Sequence, residues 1–115
     1  MVLEVQESKE INNKINKAIK EVSNLKTNLA VCDLVIILDK IEETLEQYFD
    51  YMSNAQVKRI LKALSKVSYQ ITKKIGYRLK KIKKNEIKKD YWYFIFRNSI
   101  NKKNRLMRNY KVKTQ

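Results

Sequence analysis

The chain has 115 residues, enough for one hydrophobic core and too few for two; with no proline and a single glycine it lacks the turn chemistry of β-hairpins and of phosphate-binding glycine loops. The 26 Lys and Arg against 12 Asp and Glu leave a net charge of +14, and the absence of histidine removes the commonest general base, the commonest zinc ligand and the Ser-His-Asp and Cys-His arrangements. Cys32 stands alone, so neither an internal disulfide nor a Cys-based metal site can form; no apolar run reaches the ~18 residues of a membrane span and no leader-like segment opens the chain, which points to the cytoplasm and away from a membrane.

The remaining class is all-α, a single compact helical bundle of four to five helices spanning 1–115. In the first predicted helix, about 4–27, Ile11, Ile15, Ala18, Val22, Leu25 and Leu29 recur at steps of four and three. Asn24, Thr27 and Asn28 interrupt the pattern. It resumes in a second helix, about 31–52, with Val31, Leu34, Leu38, Ile41, Leu45, Tyr48 and Met52. Val35, Ile36 and Ile37 widen its apolar surface, so this end is expected to be buried on several sides. Asp39, Glu43, Glu46 and Asp50 form an acidic line along one flank. Such carboxylates can bind Mg²⁺ or serve as acid and base, but an exposed flank, or a partner for lysines of the second half, is the commoner use of a charge line.

Ser53-Asn54-Ala55-Gln56 has the form of a capping box and opens a third helix. Val57, Ile60, Leu61, Leu64, Val67, Ile71, Ile75, Leu79 and Ile82 sustain its period, interrupted only by Gly76. That glycine marks a bend or helix end, or else a close approach by a backbone or ligand. From Lys73 to Lys89 cations alternate with Ile75, Tyr77, Leu79, Ile82 and Ile87, the composition of a helix broken near Asn85 that projects a basic ridge, Arg78, Lys81, Lys84 and Lys88. Asp90 is placed to cap a last helix from Tyr91 to about Tyr110, and 111–115 forms a frayed tail.

Charge is divided along the chain. Residues 1–52 hold the acidic to neutral helices and 53–110 the basic ones; residues 1–56 carry six Lys and ten acids, a balance of −4, and residues 57–115 twenty Lys or Arg and two acids, a balance of +18. Polarity of this kind points to a polyanionic partner. At 100° per residue, Tyr93, Phe96, Ile100 and Met107 share one face of the last helix, with Trp92 and Tyr110 at its edge, and are the core candidates. Opposite them stand Tyr91, Phe94, Ile95, Asn98, Asn101, Lys102, Arg105 and Asn109. Rings stack on unpaired bases, Asn hydrogen-bonds base edges and cations hold phosphates, so this face suits a single strand or a nucleotide; burial of some of these residues against the Lys-rich helix is the structural alternative. Tyr91, Trp92 and Phe94 would stack; Asn98 and Asn101 would contact bases; Arg97, Lys102, Arg105 and the ridge Arg78, Lys81, Lys84 and Lys88 would hold phosphates. The tight helix pair of duplex readers is absent, and three asparagines, Asn98, Asn101 and Asn104, do not suit a membrane face.

In its acidic-then-basic helical layout, in Ser53 to Gln56 opening the third helix, and in the run Asp90-Tyr91-Trp92-Tyr93-Phe94-Ile95-Phe96-Arg97, the whole chain resembles the small helix-bundle domain that follows the catalytic domain in archaeal plasmid primase-polymerases. The resemblance implies a non-catalytic module that binds single-stranded DNA template and a nucleoside triphosphate, ATP, to help the catalytic primase-polymerase domain of the same parent chain begin a primer. Mg²⁺ would arrive on the nucleotide and not on protein ligands. No catalytic or metal residue carries over. Without a Walker loop, a nucleotide site here must be built from stacking rings and Lys or Arg. Two other classes stay open, a helical oligomerisation module and a stand-alone DNA- or RNA-binding regulator of a mobile element.

Overall fold

Where apolar residues keep to steps of three and four, the chain is helical, and the expected all-α bundle is what is observed. The computed structural model describes residues 2–26, 28–81 and 87–112, with side chains from residue 7 and, in the last segment, from residue 89. Its helices are α1 (Val2–Ser23), α2 (Val31–Tyr48), α3 (Asn54–Lys81) and α4 (Ile87–Asn109), with one 3₁₀ turn, Phe49–Tyr51, after α2.

The stripes of the first three helices meet in one core. Ile15, Ile19 and Val22 of α1, Val31, Leu34, Leu38, Ile41 and Leu45 of α2, and Val57, Ile60, Leu64, Val67, Ile71 and Ile75 of α3 are all buried. Each such side chain contributes about 1.5–3 kcal/mol. Helix α3 is the axis of the molecule, since α1, α2 and α4 all pack on it. Gln56 near its start meets Asn12 and Asn16, and Lys74 near its end donates to the carbonyl of Leu29 just before α2. Helix α1 therefore runs parallel to α3, and α2 antiparallel. Helix α4 returns along α3 beside α2, where Lys102 meets Asp39 and Arg105 meets Glu42. The molecule is elongated, 63 × 27 × 18 Å.

The capping box forms as the sequence predicts. The Ser53 N–H donates to Gln56 Oε1 at 2.9 Å and the Gln56 N–H to Ser53 Oγ at 3.2 Å, satisfying two donors that a helix start leaves open. The remaining amide group of Gln56 donates to Asn12 Oδ1 at 2.8 Å and Asn16 Oδ1 at 3.0 Å, so one buried side chain both caps α3 and ties it to α1.

Several boundaries differ from the periodic reading. Helix α1 stops at Ser23, and Asn28 turns the chain with φ 67°, a left-handed conformation that Asn tolerates better than most residues. Helix α2 stops at Tyr48, and the 3₁₀ turn takes the chain to Met52. Its first turns are not buried on all sides, because Ile36 is 63% exposed. Helix α3 passes through Gly76 without ending there. Helix α4 starts three residues before Asp90, which therefore lies in the first turn, where a carboxylate favours the positive end of the helix dipole, and is not the cap. In the expected tail, Val112 packs against the core. Ile82, Lys84 and the expected break near Asn85 lie outside the described residues, as does the side chain of Lys88.

Candidate nucleic-acid interface

Among the described residues helix α4 holds the fewest fully buried side chains of the α-helices. Among its described side chains only Ser99 and Leu106 are buried; Lys89, Trp92, Ile95, Phe96, Ile100, Lys102, Lys103 and Met107 are half-buried, as is Tyr110 just after it. The inner face is thus centred on Ser99, about a quarter turn from the expected Tyr93, Phe96, Ile100 and Met107 face. Tyr93 is 46% exposed and anchors nothing, whereas Ile95 and Lys102, expected outside, turn towards the bundle. The rotation has two visible causes. Ser99 is small enough to be buried against the bundle, and the carboxylates of α2 pair with Lys102 and Arg105. Further along, the Phe49 and Tyr110 rings meet edge to face with centroids 5.0 Å apart.

The expected outward rings are outward: Tyr91 is 59% and Phe94 64% exposed. Trp92, placed at the edge by the sequence, is half-buried, with the Arg78 guanidinium 4.6 Å from its ring and Tyr91 packed on it at 5.4 Å. Arg78 stands three residues beyond buried Ile75 on the core side of α3, yet it is exposed. Lys74 already touches Leu29, two residues before α2, so this part of α3 has run past the end of that helix. Two further pairs surround it: Lys81 lies 4.4 Å over the Tyr77 ring and Lys89 6.0 Å over Tyr93. The second is at the limit of a cation–π contact. Tyr69 and Tyr77, which the sequence reading does not place in the candidate site, are also exposed; their signal is two large rings off the apolar stripe of α3.

Asn98, Asn101, Lys102 and Arg105 do come together, lining an open depression of about 610 Å³ with Asn104 and Arg108. On the solvent side of α4, Phe94, Arg97, Asn101, Asn104 and Arg108 follow at steps of three and four and are all exposed. Arg78, Lys81, Tyr91 and Trp92 form the other end of the same surface.

Lys102 and Arg105 are not free phosphate ligands. Lys102 donates to Asp39 and lies 3.3 Å from Glu42, and Arg105 donates to Glu42. Asp39 is therefore a partner for the basic half, one of the uses expected of the acidic line, while Glu43 and Glu46 are exposed. Among the described residues no group of three or more His, Cys, Asp or Glu stands ready for a metal ion. Lys40 of α2 makes a further pair with Glu21 of α1.

Burial works against the Lys102 ammonium, but the hydrogen bonds and charges of Asp39 and Glu42 outweigh it and hold its pKa above the ordinary lysine value. The Tyr110 phenol is also raised, by burial first and then by Glu46, Glu42 and Asp50, with Arg105 opposing. For both groups the protonated form is favoured in the folded state. Their contribution is complete below their unfolded pKa values, about 10 to 10.4, and is lost as pH rises through the higher folded values. The thermal midpoint of the wild type is expected to fall above about pH 10 more steeply than that of a Lys102→Met/Tyr110→Phe variant. Parallel slopes in thermal melts between pH 8 and 11 would refute this linkage.

The fold and this surface define an all-α bundle that carries aromatic and cationic side chains along one exposed helical hairpin. Comparisons with protein-family models, curated proteins and solved structures find no match. Among the described residues no helix is long and apolar enough to cross a membrane.

Proposed function

We propose that the protein binds single-stranded nucleic acid through the exposed surface of the α3–α4 hairpin. The observation that carries this reading is the set of rings held beside cations, Trp92 with Arg78, Tyr77 with Lys81 and Tyr93 with Lys89, next to exposed Tyr91 and Phe94. A solvated helix gains nothing from large rings on its outer side, whereas an unpaired base gains a stacking partner and its phosphate a nearby cation. Asn98, Asn101 and Asn104 continue the surface with groups that can pair with base edges.

The resemblance to primase-polymerase helix bundles gives this activity its place. The strand is the DNA template, the second ligand is ATP with Mg²⁺ carried on its phosphates, and the module acts without chemistry of its own beside a catalytic primase-polymerase domain of the same parent chain in archaeal plasmid replication. Stacking and cations alone can hold both ligands.

Trp92 makes the test direct. Its fluorescence is expected to change as a single-stranded DNA oligonucleotide is added, with RNA of the same sequence and duplex DNA as parallel titrations and ATP–Mg²⁺ as competitor. The Tyr91→Ala/Phe94→Ala variant should keep its helicity, because both rings are exposed, and bind at least tenfold more weakly, since each stacked base is worth about 1–3 kcal/mol. Unchanged fluorescence and no mobility shift with any oligonucleotide would rule the reading out; duplex bound more tightly than single strand would redirect it.

A further inference from the structure

The two flanks of α4 differ in what they offer a polyanion. On one flank Lys102 and Arg105 are engaged by Asp39 and Glu42, and exposed Glu43 and Glu46 extend that acidic surface along α2. A phosphate arriving there must displace carboxylates and then lie beside them, which like-charge repulsion disfavours. Around α4, Ile100 stands about 160° from Lys102, so it belongs to the other flank.

That flank forms a groove with α3. A cavity of about 550 Å³ lies there, lined by Ser68, Tyr69 and Thr72 from α3 and Ile100, Lys103 and Asn104 from α4. It has the size of a small-ligand site and is open to solvent along its length. Tyr69 is 66% exposed, and Lys103 has no carboxylate partner in any ion pair among the described residues.

One turn beyond Thr72, on the stripe Tyr69, Thr72, Gly76, stands the one glycine of the chain. Its φ is not positive and it lies inside α3, so the backbone does not require it. In a helix interior it costs about 1 kcal/mol against alanine. A Cβ at this position would meet no heavy atom within 4 Å. Neither a bend-forcing conformation nor a packed neighbour accounts for Gly76; its effect is to leave the groove open from Thr72 towards the end of the hairpin. There α4 presents Phe96, Tyr93 and Lys89, and Arg97 stands at the outer rim.

We infer that a single strand lies in the α3–α4 groove, with Gly76 as the open floor over which it passes, Tyr69 and Tyr93 as stacking rings, and Lys103 and Arg97 on its phosphates. This rests on the single-strand reading above and deepens it by assigning the path to the flank of α4 away from α2. The aromatic end of the hairpin then serves as the entrance to the groove.

Gly76→Leu separates the path from the fold. Leucine is a strong helix former and its Cβ has open space, so the variant is expected to melt no lower than the wild type while its side chain fills the groove. Single-stranded DNA should bind at least tenfold more weakly, and Gly76→Ala, more stable than the wild type, should lose less. Should Gly76→Leu melt lower, Lys103→Glu carries the test with the same expected loss. A wild type that binds and a well-folded Gly76→Leu within twofold of it would overturn the groove while leaving single-strand binding intact. A wild type that binds no single strand would overturn both.

Discussion

Leu106→Ala is expected to cost about 3 kcal/mol and to lower the thermal midpoint by about 12 °C, the largest effect of any single truncation in α4. Leu106 is fully buried and is the only apolar residue of α4 among the described ones to be so. The other contacts of this helix come from half-buried side chains, chiefly Trp92, Ile95, Phe96, Met107 and Tyr110. Each can relax into solvent, but the Leu106 cavity cannot. Because Ser99 is the one other fully buried side chain described in α4, the variant should also loosen α4 before the core of α1 to α3. Trp92 fluorescence, which reports α4, is then expected to change below the temperature at which helicity by circular dichroism is lost. A loss of under 1 kcal/mol, with both signals coincident, would mean that the ion pairs to α2 and the half-buried rings hold α4 in place by themselves.

The contrast between α4 and the other helices also explains what the sequence could reveal. In α2 and α3 the apolar residues are aliphatic, regularly spaced and flanked by charges, and nearly every residue of the predicted stripes is buried. The capping box was legible because Ser53 and Gln56 act within four residues of one another. In α4 the rings surround the helix, and no single face is more apolar than the rest. Its orientation is then decided by Ser99, which contributes smallness, and by Lys102 and Arg105, which follow acids sixty-three residues away. Neither signal belongs to an apolar periodicity, so the inner face was placed a quarter turn off. Tyr91 and Phe94 nevertheless came out exposed, because rings on so many sides guarantee that some face water. Gly76 is plain in the sequence; that a Cβ there would meet no heavy atom within 4 Å depends on how α3 and α4 pack, which no local pattern encodes.

Salt dependence provides the sharpest count of what the strand touches. On α4, the cations directed to the groove or the outer side are Lys89, Arg97, Lys103 and Arg108, and none is bound to a carboxylate in the ion pairs among the described residues. Four phosphate contacts from α4 alone contribute about −2.8 to the log-log slope, a factor of about fifty in affinity between 50 and 200 mM salt. Replacing Arg97 and Lys103 together with alanine should make the slope shallower by about 1.4. Lys102 and Arg105 are left out of the count for a physical reason. To hold a phosphate each would leave Asp39 or Glu42 unpaired beside it, and the like-charge repulsion disfavours that exchange. A slope that becomes shallower by about 1.4 when Lys102 and Arg105 are both replaced with alanine would show that both leave their carboxylates and that the strand follows the α2 flank after all. A slope near zero would show that no phosphate is held, and the basic half would then need a different partner.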